Sequence, residues 1–270
     1  MAKNKRQAAT RSESAQPAWP LDYFGDAYLE IYSRFLYDRE EIRDEVDFIV
    51  RTLDLKPDDR ILDLACGFGK HIPFFLGKKL RCHGLDISLP YLLHAGGMIP
   101  GKKAKKTALV RGDMRSLPFS SERFKAVVCL FNSFGYFKKT KPDPHLKVLR
   151  EAARILHPGG RFLLEVPNKK PVVAMVRNNP QTLQCGSDFM IHELWDYDPE
   201  TSMLHNRTSF VAGKSQSRAG YRLKLFTRGE LKNLFQRAGL LEKAVFGDYT
   251  GSDYSPFASP HLIMIGKREG

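Results

Sequence analysis

The chain has 270 residues, 42% of them hydrophobic, enough for one domain with a large core and a modest insertion. No apolar run is long enough to span a bilayer, and Cys66, Cys82, Cys129 and Cys185 show neither a zinc spacing nor a Cys-x-x-Cys redox pair. The formal net charge of +13 would draw polyanions to the surface, so the positions of the lysines matter more than their number.

Met1 to Pro17 is polar and basic and lacks the apolar stretch of a secretory signal, so a disordered tail is expected. With no secretory signal, a cytoplasmic chain with reduced thiols fits best, and the sequon Asn206-Arg207-Thr208 carries no weight. Trp19 to Tyr37 is dense in aromatic residues. Tyr28, Tyr32 and Phe35 recur at helical spacing and predict a helix. A second helix follows, with Ile42, Val46, Ile49, Val50 and Leu53 on one face and charged residues on the other, ending before Pro57.

Ile61 to Leu64 is an apolar run short enough for a buried strand. It passes through Ala65-Cys66-Gly67-Phe68-Gly69-Lys70-His71 into Ile72-Pro73-Phe74-Phe75-Leu76, a helix start. Strand, glycine loop and helix together bring a ligand against backbone N–H groups. A dinucleotide fingerprint would need a third glycine at position 72, where this chain has Ile72.

Leu80 to Ser88 reads as a second strand ending in Asp86, with Ser88 capping the next helix and Pro90 in its first turn. Gly101 to Lys106 is a lysine-rich loop, Ala108 to Asp113 a third strand, and Phe124 to Phe131 the most hydrophobic strand. A helix from about His145 to His157 is stopped by Pro158-Gly159-Gly160, and Arg161 to Val166 forms a fifth strand. Strand and helix alternate from 60 to 167, which predicts a parallel sheet with ligands at the carboxyl ends of its strands.

After Pro167 the pattern changes. Phe189 to Tyr197, Met203 to Val211 and Tyr221 to Phe226 read as three antiparallel strands. Thr227-Arg228-Gly229-Glu230 is a capping box that opens a last helix, and strands near Leu241 to Phe246 and His261 to Gly266 close the sheet.

The acid-x-small-x-Gly-x-Gly pattern of Asp63, Ala65, Gly67 and Gly69 resembles the first motif of the class I S-adenosylmethionine (SAM) dependent methyltransferases. The resemblance covers roughly Leu53 to Lys169 and is looser beyond. It implies a three-layer α/β/α sandwich on a seven-stranded, mostly parallel sheet whose last strand is antiparallel. Five segments are then expected: a disordered tail 1–17, an N-terminal helical lid 18–56, a SAM-binding core 57–170, an antiparallel cap 171–226, and the closing helix and strands 227–270.

Residue by residue, the resemblance implies that Ala65, Gly67 and Gly69 lie under the methionine part of SAM, with Asp63 orienting the loop. Asp86 matches the acid that binds both ribose hydroxyls, and Ile87 would pack on the adenine. Asp113 and Met114 match the pair that reads the adenine edge. Leu130, Phe131 and Asn132 follow the fourth strand beside the methyl group, and Tyr28 belongs to the lid.

Methyl transfer needs a base only for a protonated acceptor. His71, His192, Glu193 and Tyr136 are candidates, but none is assigned and no metal is implied.

The chain lacks Asn-Pro-Pro-Tyr after the fourth strand and has no Pro-Cys, which argues against methylation of exocyclic base amines and of cytosine C5. The insertion resembles the cap of small-molecule N-methyltransferases. The expected activity is therefore methyl transfer from SAM to the N or O atom of a small molecule, leaving S-adenosylhomocysteine (SAH). The alternatives are an RNA or protein methyltransferase, an NAD-dependent oxidoreductase and a non-catalytic SAM-binding module. Lys138, Lys139, Lys141, Lys169 and Lys170 follow the fourth and fifth strands on the ligand edge of the sheet, which raises the expectation of an anionic acceptor. Lys102, Lys103, Lys105 and Lys106 should lie on the opposite edge.

Overall fold

A computed structural model of the chain describes residues 23–34, 38–99, 101–138, 140–186, 188–212 and 215–269. The expected tail 1–17, together with Trp19, Phe35, Tyr37 and Lys139, lies outside the described residues.

The central sheet has seven strands: β1 (Arg60–Leu64), β2 (Arg81–Asp86), β3 (Ala108–Arg111), β4 (Phe124–Cys129), β5 (Leu156–Pro167), β10 (Leu240–Phe246) and β11 (His261–Arg268). Their order across the sheet is β10-β11-β5-β4-β1-β2-β3. Only β11 runs against its neighbours, pairing antiparallel with both β5 and β10. The chain builds outward from β1 to β3, then crosses back to place β4 on the other side of β1. That reversal opens a crevice at the carboxyl ends of β1 and β4. The inner strands are mostly apolar because both of their faces are covered. Ile61, Leu62 and Leu64 of β1 and Ala126, Val127 and Val128 of β4 have no exposed surface.

Helices α2 (Arg39–Thr52), α3 (Ile72–Gly77), α4 (Leu89–Met98), α5 (Pro144–Ile155) and α7 (Arg228–Arg237) flank this sheet, and their starts follow local chemistry. Ser88 caps α4, Asp143 caps α5, and Thr227 and Glu230 form the reciprocal capping box of α7. Among the described residues no helix is long and apolar enough to cross a membrane.

A second, antiparallel sheet has the order β6-β7-β8-β9, made of Gln181–Cys185, Phe189–Asp198, Met203–Ala212 and Ser215–Lys224. Three strands are predicted from sequence and four are present. β6 (Gln-Thr-Leu-Gln-Cys) is largely exposed and lacks apolar alternation, so periodicity does not reveal it. α6 (Lys169–Asn178) is also unforeseen. Its Val172, Val173 and Val176 pack on Leu204 and Leu223 of the small sheet.

Two further differences are local. Gly101–Lys106 is a 3-10 helix rather than a loop. β5 begins at Leu156, not Arg161: Phe124 pairs with Leu156 and Ala126 with Arg161, so Pro158-Gly159-Gly160 is absorbed as a bulge.

The first helix, α1 (Asp26–Arg34), packs on the small sheet: Tyr23 and Ile31 join Ile191 and Phe210 in one buried cluster. Helix α1 and the small sheet therefore form one roof over the carboxyl edge of the main sheet.

Candidate functional site

Between the roof and the carboxyl edge lies a cavity of about 430 Å³. Eleven of the twelve residues picked out from sequence line it: Asp63, Ala65, Gly67, Asp86, Ile87, Asp113, Met114, Leu130, Phe131, Asn132 and Tyr28. The exception is Gly69.

The loop after β1 has alternate residues in left-handed conformation, Ala65 at φ 62°, Gly67 at 54° and Gly69 at 81°. The two glycines do different work. A Cβ on Gly67 would meet only the Tyr91 ring, at 3.9 Å, so that face stays open for a ligand. A Cβ on Gly69 would lie 2.6 Å from the Ala95 Cβ. Gly69 is therefore the contact that lets α4 approach the loop.

Asp86 fixes this loop to the next strand. Its Oδ2 accepts from the Gly67 N–H at 2.8 Å and its Oδ1 from the Ser88 N–H at 2.8 Å. Burial raises the Asp86 carboxyl above its ordinary range, against the lowering effect of these N–H donors. Asp113 is committed differently. Both of its oxygens accept from the Arg115 guanidinium, which holds the carboxyl below its ordinary range.

Beneath the loop is a group of buried charges that the hydrophobic pattern hides. Glu45 lies on the buried face of α2, where its Oε2 is 2.8 Å from His71 Nε2 and 4.0 Å from Lys70 Nζ. The sequence did carry a signal: Glu45 falls three residues after Ile42 on the apolar stripe. Asp63 Oδ2 is buried without a hydrogen-bond partner, 4.0 Å from His71 Nδ1. Burial and then Asp86 push Asp63 up to about 7.

At the end of β4, Phe131 and Asn132 both have positive φ, 53° and 68°. Two consecutive non-glycine residues in this region store strain where the chain passes the cavity. The turn is held by the buried Glu165, which accepts the Phe131 N–H at 2.5 Å and pairs with His261 at 3.0 Å. Lys70 Nζ lies 3.1 Å from the centre of the Phe131 ring.

The roof side is aromatic. Tyr28 stacks on Tyr32 at 4.0 Å, Tyr23 meets Tyr221 at 4.6 Å, and Tyr221 meets Tyr136 at 5.4 Å and Trp195 at 5.9 Å. The sequence singles out Tyr28, Tyr32 and Tyr136, and Tyr23 falls within the aromatic run from Trp19 to Tyr37, but Trp195, Tyr221 and Tyr91 are not picked out for the site. Those three lie on elements whose facing only the tertiary packing sets.

Of the four candidate bases, His71, Tyr136 and Glu193 line the cavity. His192 points to the other face of β7, 3.3 Å from Gln181. The rim lysines do not join the lining: Lys169 donates to Ser202, Lys170 lies over Phe257, and Lys138 is exposed.

Residues 61–160 match the family model described as a methyltransferase domain. The chain is 26% identical over 238 residues to the putative methyltransferase YqeM of Bacillus subtilis, covering 86% of this chain and 91% of that protein. It is 34% identical over 105 residues to the dTDP-3-amino-3,4,6-trideoxy-alpha-D-glucopyranose N,N-dimethyltransferase of Streptomyces venezuelae, 39% of this chain and 41% of that one. Among solved structures, SAM-bound CalS10, an amino pentose methyltransferase from Micromonospora echinaspora, superposes with a TM-score of 0.63 at 19% identity. The superposition covers 90% of this chain and 97% of that one, and a likeness at that identity concerns the fold.

Proposed function

We propose that this chain, a SAM-dependent methyltransferase built on a class I methyltransferase domain, transfers its methyl group to a small-molecule acceptor. One observation carries the small-molecule reading. The cavity that reaches the glycine loop is roofed by α1 and the small sheet, and Tyr32, Glu193, Trp195 and Tyr221 line the roof. An acceptor must fit within about 430 Å³ shared with the cofactor, a volume that suits metabolites rather than a folded RNA or protein surface.

The residues present suit SAM. The orphaned Asp63 Oδ2 offers a buried acceptor to a positively charged ligand, and the open face of Gly67 lets such a ligand reach the backbone. Asp86 spends one lone pair of Oδ2 on the Gly67 N–H and one of Oδ1 on the Ser88 N–H, and keeps the others for ribose hydroxyls. Ile87, Met114 and Leu130 supply apolar surface for the adenosine. Asp113, already paired with Arg115, would read the adenine amino group with its remaining acceptor capacity.

When bound, SAM supplies an electrophilic methyl group on a sulfonium sulfur. The protein's part is to align the acceptor and exclude water. Segment 18–56 is read as a lid and 171–226 as a cap, jointly closing the site. Ile72, fully buried at the position of the third dinucleotide glycine, disfavours the oxidoreductase alternative.

Calorimetry with SAM, SAH and NAD tests the cofactor assignment; SAM and SAH should bind and NAD should not. Incubation of a metabolite extract and of RNA with methyl-labelled SAM tests the acceptor class. Label confined to RNA or protein would overturn the small-molecule reading.

A further inference from the structure

The half of the cavity under the small sheet differs in chemistry from the half over the glycine loop. Its walls are aromatic rings, and the carboxylate of Glu193 projects among them from β7. Glu193 is held by two neutral donors, Asn206 Nδ2 at 3.1 Å on one oxygen and Thr182 Oγ at 3.0 Å on the other; the Thr208 hydroxyl, 3.4 Å away, donates to Asn206 Oδ1 at 2.5 Å and so fixes the amide that holds the carboxylate. Asn206 and Thr208 are themselves buried, which fixes the carboxylate in place. Among the described residues Glu193 forms no ion pair.

Its charge is felt across the roof. Burial and then Glu193 push the Tyr32 hydroxyl up to about 12. Tyr23, Tyr28, Tyr136 and Tyr221 are also raised, by burial first and Glu193 among the further causes. All five phenols therefore stay neutral, and among these roof side chains the only formal charge is negative. A fixed carboxylate that forms no ion pair among the described residues, set among aromatic rings, is an environment that selects a cation. A neutral alcohol would gain nothing from the rings, and an anion would be repelled.

Resting on the small-molecule reading above, we propose that the acceptor is an amine, drawn in as its ammonium ion, and that Glu193 binds its N–H and accepts its proton. The ammonium passes one proton to Glu193, which frees the nitrogen lone pair. That pair forms the N–CH₃ bond as the C–S pair returns to sulfur, leaving a neutral thioether and a methylated ammonium. Glu193 then releases its proton to water. Glu193→Gln keeps the size and an acceptor oxygen but removes the charge.

The first test reads binding without turnover. Protein loaded with SAH is titrated with benzyltrimethylammonium, which carries the charge and cannot be methylated, and with benzyl alcohol as the neutral comparator. The ammonium should bind roughly 10-fold more weakly to Glu193→Gln than to the native protein. Benzyl alcohol should not distinguish them, and SAH affinity should stay within about twofold, which reports a folded variant. Equal affinity of the ammonium for both proteins would overturn the proposal.

A second test uses the native protein alone. A metabolite extract is separated by ion exchange into cationic, neutral and anionic fractions, each incubated with methyl-labelled SAM. Label should enter the cationic fraction. Label in the neutral or anionic fraction would overturn the amine assignment and leave the small-molecule reading intact; label in RNA or protein instead would overturn that reading.

Discussion

The Gly67 N–H donates to Asp86 Oδ2 at 2.8 Å, so the residue expected to hold the ribose also holds the loop expected to lie under the methionine. The two halves of the cofactor site are coupled through one carboxylate. Asp86→Ala should weaken SAM binding roughly 10- to 100-fold, the range for losing hydrogen bonds to a charged group. It should also lower the melting temperature, because the half-buried Gly67 N–H loses its partner. Asp113→Ala should cost less, since Asp113 spends both oxygens on Arg115. Calorimetric titration of both variants decides; unchanged SAM affinity in Asp86→Ala would remove it from the ribose site.

Gly69 makes a separate prediction about stability. Gly69→Ala puts a Cβ 2.6 Å from that of Ala95 and a side chain at φ 81°. Overpacking and left-handed strain together should cost on the order of 2–4 kcal/mol. Adding Ala95→Gly removes the clash but not the strain, so the double variant should recover part of the loss. Thermal or urea denaturation of the three proteins measures it, and full additivity would show that the two residues do not meet.

Asp63 should make cofactor binding pH-dependent. Its carboxyl is raised from 3.8 to about 7 in the folded chain. Between those values the folded state keeps a proton that the unfolded state has lost, so this group's contribution to stability declines as pH rises across that window. A cationic ligand beside Oδ2 favours the ionised form. SAM should therefore release a proton on binding between about pH 6 and 7, and bind more tightly as pH rises through about 7. Titrations in buffers of different ionisation enthalpy count the proton. Asp63→Asn should abolish both effects, and proton uptake in the native protein would place the ligand's charge elsewhere.

The lid is tested by Tyr28. Stacked on Tyr32 and close to Phe24 and Tyr23, it lines the cavity while α1 is anchored separately by the buried Ile31. Tyr28→Ala should reduce turnover more than it reduces melting temperature, and SAM should protect segment 18–56 from proteolysis. A large drop in melting temperature with normal activity in the surviving enzyme would make Tyr28 a packing residue instead.

The sheet was legible because its inner strands are short, mostly apolar runs with distinctive polar residues at or near their ends. Asp86 and Asp113 each close or follow such a run, Asp63 lies one residue before the end of β1, and topology alone brings strand ends to one edge. Gly69 alone of the expected site residues does not line the cavity, and the sequence could not say so: a glycine that admits a ligand and one that admits a helix look the same there, and the 2.6 Å approach to Ala95 separates them. The buried Glu45–His71 pair joins residues 26 positions apart, and nothing local in α2 announces its partner. Glu193 was visible only as one of four candidate bases. Its donors Asn206 and Thr182 are set beside it by the antiparallel register, and packing of α1 on the small sheet brings the tyrosines of the roof over it.

The rim lysines and Glu193 make opposite demands on the acceptor, and salt separates them. If lysines after β4 and β5 captured an anion, kcat/KM would fall with ionic strength and with their neutralisation. The structure places neither Lys169 nor Lys170 in the cavity lining and commits both to other contacts. An ammonium acceptor approaching a chain of net charge +13 is instead repelled at long range and attracted only within the cavity, beside Glu193. Added salt screens the repulsion beyond about 10 Å at 0.1 M while leaving the enclosed contact with Glu193 largely untouched. The expected result is that kcat/KM for the acceptor rises modestly with salt. Neutralising Lys138, Lys169 and Lys170 should likewise raise it or leave it unchanged, and neutralising Lys105 and Lys106, where Lys106 is bound to Asp58 at 2.9 Å, should do little. A fall in kcat/KM under both treatments would restore the anionic acceptor and leave Glu193 as part of the roof.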